Sequence, residues 1–343
     1  MSNQSRKLLN SKNLHPKHPA KPLYTNLTDK QFLTEVTHQW SQEFVRLRPD
    51  IPLLGSPERT LWRNVLESID GKLFILEKIP SRKYDRKRRI AHTLQQLSVY
   101  GLKQIAPYAL NVQGEFISLI DHGLWQICPF VEGLKLMRPD YAMEGWRGKK
   151  AASFLVAFND ICRRQKMTSP PPFFSIATYC RNLFALMEKN HPDLAVVYRP
   201  FMDHLENSFF SKQDHLPVSF CHGDFHPLNI VWGTQSIQAV IDWEFCGVKP
   251  ELYDLANLLG CLGMEDPRSL WGPFVEALVA GLKTKERFSI ESWKALPDLL
   301  LAIRFAWLNE WIRKKDLQMI RLEADYMQLL LSQHLFLPFA HLA

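Results

Sequence analysis

The feature that most constrains this chain of 343 residues is a run of short apolar segments and rigid polar turns over residues 218–244. Residues 218–221 are mostly apolar, which predicts a short buried strand. Gly223 then allows a backbone conformation that a Cβ would resist, and Pro227 prevents a helix from crossing the loop. A predicted hairpin over residues 230–241 follows and would return the chain to the end of the first strand.

The loop and the hairpin carry two carboxylates and one amide. Asp224 and Asn229 are five residues apart on the loop, and Asp242 ends the last strand of the hairpin. Enzymes catalyse phosphoryl transfer mainly by positioning and charge stabilisation, and Mg²⁺ prefers hard oxygen ligands. The pattern therefore predicts phosphoryl transfer, with Asp224 as the catalytic base that accepts or orients the substrate hydroxyl proton. Asn229 and Asp242 are the predicted ligands of Mg²⁺.

The tripeptide at 222–224 with Asn229, followed by Ile-Asp-Trp-Glu at 241–244, resembles the catalytic and metal-binding loops of the aminoglycoside phosphotransferase and choline kinase-like family. That family includes a type of homoserine kinase and spore-coat kinase-like proteins. The resemblance implies an α+β, protein-kinase-like two-lobe fold with a small antiparallel-sheet N-lobe and a larger, mostly helical C-lobe. It also implies ATP or GTP as the phosphoryl donor and a small hydroxyl-bearing molecule as the acceptor.

This resemblance extends over about residues 50 to 335, although its specific motif is confined to 220–257. The resemblance, together with the polar, basic and proline-containing composition of the first 24 residues, predicts three regions. We expect residues 1–24 to be a flexible basic tail, 25–129 to be the N-terminal nucleotide-binding lobe, and 130–343 to be the helical lobe with the catalytic and metal loops.

Local patterns in the expected N-terminal lobe predict a helix and a sheet. Phe32, Val36, Trp40 and Phe44 have helical spacing, and Thr28 is a suitable cap, so residues 28–44 are predicted to be helical. Residues 51–79 are predicted to form three strands. Asp70-Gly71 is a strong hairpin signal and joins the last two of them.

The resemblance places nucleotide contacts on two further segments. The turn after the first predicted strand would lie over the phosphates, where the Ser56 hydroxyl would contact them, but a plain hairpin turn explains its composition equally well. Backbone groups of Phe130, Val131 and Glu132 would bind adenine in the family's hinge. Pro129, just before them, has no amide to donate.

The phosphate-binding lysine of the third strand is the clearest departure from the family pattern. Lys78 is the natural candidate, but Glu77 is adjacent and strand side chains alternate between faces. The helix that follows contains no glutamate to hold a lysine. Either Lys78 binds phosphate with support from Asp85 or from elsewhere, which we favour, or the pair is reversed in sign. In the second case Glu77 faces an arginine of the following helix, and that helix contributes the phosphate-binding cation.

The net charge and the cysteine content restrict the partners and the cellular location that the chain could have. The net charge of +7 falls to +2 without the five basic residues that precede Asp29, so a solvated tail is favoured over a nucleic-acid-binding one. Six scattered cysteines without a CxxC pair suggest reduced thiols and a cytoplasmic protein. No apolar run of about 18 residues indicates a membrane span, and no secretory signal is evident.

Two other functions compete with a small-molecule kinase. A kinase-fold nucleotide-binding or scaffold protein without turnover would explain the missing helix glutamate. Such a protein, however, does not require the predicted base Asp224 together with the predicted metal ligands Asn229 and Asp242. A protein kinase is disfavoured because no Asp-Phe-Gly or Ala-Pro-Glu segment is evident. The acceptor stays open among amino alcohols, homoserine-like amino acids, sugars and aminoglycosides.

Overall fold

The structure, a computed structural model, describes residues 28–53, 60–168, 173–283 and 287–333. It divides into two compact units, Met1–Arg88 with Tyr108–Phe130 and Arg89–Pro107 with Val131–Ala343. Residues 89–107, which we predicted to be part of the N-terminal lobe, group with the second unit. The predicted tail at 1–24 lies outside the described residues, and the nucleotide-binding role of the first lobe stays a prediction.

The first unit is a five-stranded antiparallel sheet with one helix on its core. The strands are β1 (Phe44–Leu47), β2 (Trp62–Ser68), β3 (Leu73–Ile79), β4 (Ser118–Ile120) and β5 (Gly123–Pro129), in the order β1-β2-β3-β5-β4. The turn between β2 and β3 contains Gly71 at φ +77°, in the left-handed region that favours glycine. The predicted hairpin at Asp70-Gly71 is therefore present.

Helix α1 (Lys30–His38) begins where the Asp29 carboxylate accepts a hydrogen bond from the Phe32 amide, 3.1 Å away. Its apolar stripe then packs on one face of the sheet. The core on that face consists of Phe32, Leu33, Val36, Trp40, Leu66, Leu76, Trp125 and Ile127, all buried. This burial of large apolar side chains is the main source of stability for a small unit of this kind.

Two boundaries in this unit differ from the prediction. The helix ends at His38 rather than at Phe44, because Ser41 has a positive φ that a continuing helix does not allow. Phe44 instead begins β1, which pairs with β2 and places Phe44 and Leu47, both partly buried, on the α1 core. The first strand that we predicted at residues 52–54 is not a strand at 52 and 53, and residue 54 lies outside the described residues.

The second unit is mostly helical. Its helices are α2 (Tyr84–Val99, which begins in the first unit), α3 (Gly145–Arg164), α4 (Ile176–Asn190), α5 (Pro192–Ser208), α6 (Tyr253–Glu265), α7 (Pro273–Lys283), α8 (Ile290–Lys314) and α9 (Leu317–Ser332). Two short antiparallel pairs interrupt the helices: β6 (Val218–Cys221) with β9 (Gly247–Pro250), and β7 (Ile230–Gly233) with β8 (Ser236–Val240). A small antiparallel sheet and a larger helical part confirm the predicted α+β class.

Close helix packing holds the second unit together. Helix α3 lies so near α7 that a Cβ on Gly148 would be 1.9 Å from the Phe274 carbonyl oxygen. The Phe154 ring of α3 stacks on Phe225 at 5.5 Å between centroids, which ties the loop after β6 to the helical core. Within the described part of the chain, no helix is both long and apolar enough to cross a membrane.

Candidate active site

A buried carboxylate anchors the loop that follows β6. Asp254, in the first turn of α6, accepts hydrogen bonds from the backbone N–H groups of His222 and Gly223, at 2.7 and 2.8 Å. Burial raises the pKa of Asp254 to about 6, although these two hydrogen bonds act in the opposite direction.

Gly223 is required at its position for two independent reasons. Its φ is +83°, and a Cβ would lie 2.1 Å from the Phe245 carbonyl oxygen. Any larger residue would therefore be strained in its own backbone and would also collide with backbone. The loop can turn sharply here only because the side chain is absent, and the turn directs the next residue, Asp224, away from the strand.

The imidazole of His222 is a fixed and neutral part of the loop. Its Nε2 lies 3.0 Å from the Ile241 carbonyl oxygen, and its Nδ1 accepts the Asp224 N–H at 3.2 Å. This pair of contacts requires the tautomer protonated at Nε2. Burial lowers the pKa of His222 to about 3, so the ring is neutral at physiological pH. It positions the loop and joins it to the end of the β7–β8 hairpin.

Asp224 and Asn229 lie together in the structure. The Asn229 amide group donates from Nδ2 to the Asp224 backbone oxygen at 2.9 Å and to its Oδ2 at 3.2 Å. The other carboxylate oxygen, Oδ1, lies 3.7 Å from His226 Nε2. The Asp224 side chain is still 19% exposed, so a substrate hydroxyl could reach it.

The hairpin brings Asp242 back to this loop. The Ile241 amide donates to the Asn229 backbone oxygen at 2.9 Å, which makes the residue before Asp242 a direct neighbour of Asn229. Asp242 itself has a left-handed backbone, φ 63° and ψ 61°. Trp243 is buried beside the His222 ring, 4.5 Å between centroids, and donates from Nε1 to the Val240 oxygen. The loop and the hairpin therefore form one structure.

The polar atoms of this structure suit a hard divalent cation. The Asn229 amide nitrogen already donates hydrogen bonds to Asp224, so the amide oxygen of Asn229 is the atom able to coordinate a metal. Asp242 adds a carboxylate. Within the described ranges, no three His, Cys, Asp or Glu residues cluster as a metal site. A two-ligand protein site completed by nucleotide phosphates and water is the arrangement that Mg²⁺ favours.

Three residues that we did not predict also support the loop. Asn257, buried on α6 one turn after Asp254, donates to the Phe225 oxygen at 3.3 Å and accepts from Trp307 Nε1 at 3.0 Å. The Trp307 ring of α8 also contacts the His226 ring, at 5.5 Å between centroids. Lys249 donates to the Phe245 oxygen at 2.8 Å. Asn257 could have been found from its spacing to Asp254, but Trp307 has no local signal.

In the first unit, β3 places Glu77 and Lys78 on opposite faces. The Lys78 ammonium lies 5.5 Å from the centroid of the Trp125 ring, which belongs to the α1 core. Glu77 lies on the other face, where its Oε1 is 3.0 Å from Arg63 Nε. The contact of Lys78 with phosphate stays a prediction.

The remaining predicted nucleotide contacts are only partly described. Ser56 lies outside the described residues. The Phe130 N–H donates to the Leu73 oxygen at 2.9 Å, so this amide is already used within the first unit. The contacts of Phe130, Val131 and Glu132 with a nucleotide base stay a prediction.

Several polar side chains of the second unit have partners within the protein. Arg138 forms two hydrogen bonds of 2.7 Å with Glu265, and the Tyr141 hydroxyl lies 3.4 Å from the same carboxylate. Arg147 is buried, and its guanidinium lies 4.3 Å from the centroid of the Trp146 ring. These contacts give the three side chains structural roles.

Solved structures with the same fold are numerous, although their sequences are distant. Amicoumacin kinase hAmiN in complex with AMP-PNP, Ca²⁺ and Ami is 17% identical with a TM-score of 0.62, covering 88% of this chain and 93% of that one. The GDP complex of aminoglycoside 2'-phosphotransferase-IIIa is 14% identical with a TM-score of 0.60, covering 89% and 98%. Choline kinase LicA from Streptococcus pneumoniae is 13% identical with a TM-score of 0.55, covering 88% and 98%.

These similarities confirm the protein-kinase-like fold. A search of curated protein sequences finds no significant match. The profile of the phosphotransferase enzyme family, APH, matches residues 61–296, which is more than half of the chain and includes the whole anchored loop and hairpin. The chain therefore belongs to the phosphotransferase enzyme family and is a phosphotransferase that acts on an alcohol group.

Proposed function

We propose that this protein is a Mg²⁺-dependent small-molecule kinase that transfers the γ-phosphate of ATP or GTP to a hydroxyl of its acceptor, with Asp224 as the catalytic base. The observation that carries the proposal is the pair of hydrogen bonds from Asn229 to Asp224, at 2.9 and 3.2 Å, on a loop that Asp254 anchors. A carboxylate held in one orientation and partly exposed is suited to accept a proton from a bound hydroxyl.

In the proposed reaction the acceptor oxygen forms a bond to the γ-phosphorus while the bond between that phosphorus and the β–γ bridging oxygen breaks. The hydroxyl proton passes to the Asp224 carboxylate, and the nucleoside diphosphate leaves. His222 is excluded as the base because both of its ring nitrogens are engaged, with the Ile241 oxygen and the Asp224 amide. Its role is to position Asp224.

The Asn229 amide oxygen and the Asp242 carboxylate would hold Mg²⁺. When bound, this ion would neutralise charge on the nucleotide phosphates and fix their orientation. The left-handed backbone of Asp242 and the hydrogen bond between Ile241 and Asn229 support this assignment, because they keep the two residues close together. Among proteins of the same fold, one was solved with AMP-PNP and Ca²⁺ and another with GDP, which supports a nucleotide and a divalent ion without selecting between ATP and GTP.

The acceptor is proposed only as a class. Structures with this fold include an amicoumacin kinase, an aminoglycoside phosphotransferase and a choline kinase, all of which act on small molecules. We propose a small hydroxyl-bearing acceptor, no role for a membrane or for nucleic acid, and a cytoplasmic location. The proposed cytoplasmic location agrees with six cysteines that form no disulfide, four of which are buried.

The test is nucleotide consumption with Mg²⁺, using ATP and GTP in turn against a panel of amino alcohols, amino acids, sugars and aminoglycosides. Stimulation by one class of acceptor, with phosphate found on that acceptor, would establish the kinase and name its substrate class. Nucleotide binding without stimulation by any acceptor would favour a nucleotide-binding or scaffold protein without turnover.

The proposed metal ligand has its own test. In Asp242→Asn one carboxylate charge on Mg²⁺ is lost, so we expect nucleotide affinity measured with Mg²⁺ to fall at least tenfold. Affinity measured with EDTA should not change, because Asp242 would contact the nucleotide only through the metal. Equal losses with and without Mg²⁺ would contradict this assignment.

A further inference from the structure

Helix α6 presents two buried polar side chains to the loop that follows β6. Asp254 and Asn257 are three residues apart, so they lie on the same face of the helix. Both are almost completely buried, at 4% and 3% exposed. Polar side chains are buried to this extent only where they form hydrogen bonds, and each of these two has partners within residues 222–225.

The two side chains hold the backbone on opposite sides of Asp224. Asp254 accepts the N–H groups of the two residues before Asp224, at 2.7 and 2.8 Å. Asn257 donates from Nδ2 to the carbonyl oxygen of Phe225, the residue after Asp224, at 3.3 Å. The first turn of α6 therefore fixes the chain on both sides of the proposed base, and so fixes the point from which its side chain extends.

The orientation of the Asn257 amide is determined by Trp307 of α8. An indole nitrogen can only donate, so the end of the amide that lies 3.0 Å from Trp307 Nε1 is the oxygen, Oδ1. The nitrogen end is thereby directed at Phe225. In the reversed amide two donors would meet at Trp307 and two acceptors at Phe225, and buried polar groups without partners are costly. Trp307 thus makes Asn257 a donor to the loop.

Trp307 is itself held by its surroundings. Its ring lies 5.5 Å from the His226 ring and 5.6 Å from the Arg304 guanidinium, a distance at which a cation is attracted to an indole. Arg304 is 1% exposed and forms two hydrogen bonds with Glu323 of α9, at 2.5 and 2.7 Å. The indole N–H therefore reaches Asn257 from a restrained part of the second unit.

We infer that Asn257, oriented by Trp307, is a positioning residue for the proposed phosphoryl transfer. It fixes the chain after Asp224, as Asp254 fixes the chain before it. The inference rests on the proposed function and deepens it. Because Asn257 and Trp307 act through Asp224, their loss should slow the reaction and should leave the binding of both substrates nearly unchanged.

The first experiment compares two tryptophans of α8 that are about one turn apart. It uses the nucleotide and the panel acceptor with which the wild type is most active. Trp307→Phe keeps a ring but removes the N–H that orients Asn257. We expect kcat to fall about tenfold, as for the loss of one hydrogen bond, and KM for both substrates to stay within about twofold.

Trp311→Phe is the matched control because it makes the same chemical change on the same helix. The Trp311 N–H donates to Glu323 at 3.0 Å, and among the residues that the structure describes Trp311 makes no hydrogen bond with the loop. We expect kcat of Trp311→Phe to stay within about twofold of the wild type. A raised KM for the acceptor with unchanged kcat in Trp307→Phe would overturn the inference, since it would indicate contact with the acceptor instead.

The double variant tests whether Trp307 acts through Asn257. Asn257→Leu has a similar volume and lacks the donor to Phe225, so its kcat should also fall about tenfold. Adding Trp307→Phe to Asn257→Leu should cause little further loss, because the indole then has no amide to orient. Independent losses that multiply to about hundredfold would overturn the coupling of the two residues.

Amide hydrogen exchange without nucleotide or acceptor gives a readout that does not depend on turnover. In Asn257→Leu the amides of residues 225–229 should exchange about tenfold faster. The amides of His222 and Gly223, which Asp254 still holds, should stay within about threefold and show that the variant is folded. Unchanged exchange at 225–229 would overturn the inference. A failure of the proposed function differs, since then no acceptor would stimulate the wild type although the exchange of the loop responds as described.

Discussion

Asn229 donates its side-chain N–H to the carboxylate of Asp224 at 3.2 Å, and to the backbone oxygen of the same residue at 2.9 Å. The amide therefore holds the proposed base by two atoms at once. Its own oxygen is left for a metal. One side chain thus connects the position of proton transfer to the position of the nucleotide phosphates, and substitutions can separate the two roles.

The variant Asn229→Asp keeps an oxygen ligand but loses the donor to Asp224. We expect nucleotide affinity with Mg²⁺ to stay within about threefold of the wild type. Turnover should fall at least tenfold, because two carboxylates would then face each other and Asp224 would no longer be held. Asn229→Ala, which removes ligand and donor, should lose both. Wild-type turnover in Asn229→Asp would contradict the restraint of Asp224 by this amide.

Gly223→Ala should be far more harmful than an alanine at another glycine with positive φ. Both Gly223 and Gly71 have a left-handed backbone, but a Cβ on Gly71 meets no atom within 4 Å, whereas one on Gly223 meets backbone at 2.1 Å. Gly71→Ala should therefore cost about 1–2 kcal/mol in unfolding free energy. Gly223→Ala should cost more and abolish turnover. Equal losses in denaturant unfolding would refute the close approach to Phe245.

The neutral state of His222 predicts a pH dependence of stability. Its folded pKa is lowered to about 3 from the ordinary 6.5, so the unfolded chain binds this proton more tightly between those values. The contribution of neutral His222 to the free energy of unfolding is complete above pH 6.5 and decreases as the pH falls. The loss between pH 8 and pH 5 should be about 2 kcal/mol.

Denaturant unfolding at these two pH values measures that loss. His222→Gln cannot titrate, so its stability should change by about 2 kcal/mol less than that of the wild type between pH 8 and pH 5. His215→Gln, at a histidine outside the loop and exposed, is the matched control and should behave as the wild type. An identical pH dependence in His222→Gln and the wild type would show that His222 is not held neutral.

Asp254 predicts a titration of opposite sign. Its folded pKa is raised to about 6 from the ordinary 3.8, so the folded protein binds this proton more tightly, and the contribution of this group to stability grows as the pH falls from 6 towards 3.8. The Gly223 amide donates to this carboxylate, so its NMR shift should titrate with a midpoint near pH 6. Asp254→Asn should remove that titration. A shift that stays constant from pH 5 to pH 8 in the wild type would contradict the prediction.

Much of the loop that follows β6 could be predicted because its determinants are local. Gly223, Pro227 and the apolar strands on either side impose the turn, and the spacing of Asp224 and Asn229 places both on it. The structure brings these two residues within hydrogen-bond distance. Asp254 was likewise predictable as an anchor. The contact of Trp307 with Asn257 was not, because it joins residues 50 positions apart on two different helices.

The sheet of the first unit has a second property that the sequence alone could not predict. Alternation along β3 predicts that Glu77 and Lys78 lie on opposite faces, but it does not tell which face a helix covers. That depends on the packing of α1, whose Phe32 ring meets Trp125 across 93 residues of sequence. The early end of α1 and the formation of β1 depend on the same long-range core, so local spacing predicted the helix too long.

The most direct test of the central claim compares turnover with nucleotide binding in Asp224→Asn. This variant keeps the shape of the side chain and removes its ability to accept a proton. We predict that turnover with the identified acceptor falls by about 10²-fold to 10⁴-fold, the contribution typical of a positioned base. Nucleotide affinity with Mg²⁺ should change by less than about threefold. Full turnover in Asp224→Asn would contradict the assignment of Asp224 as the catalytic base.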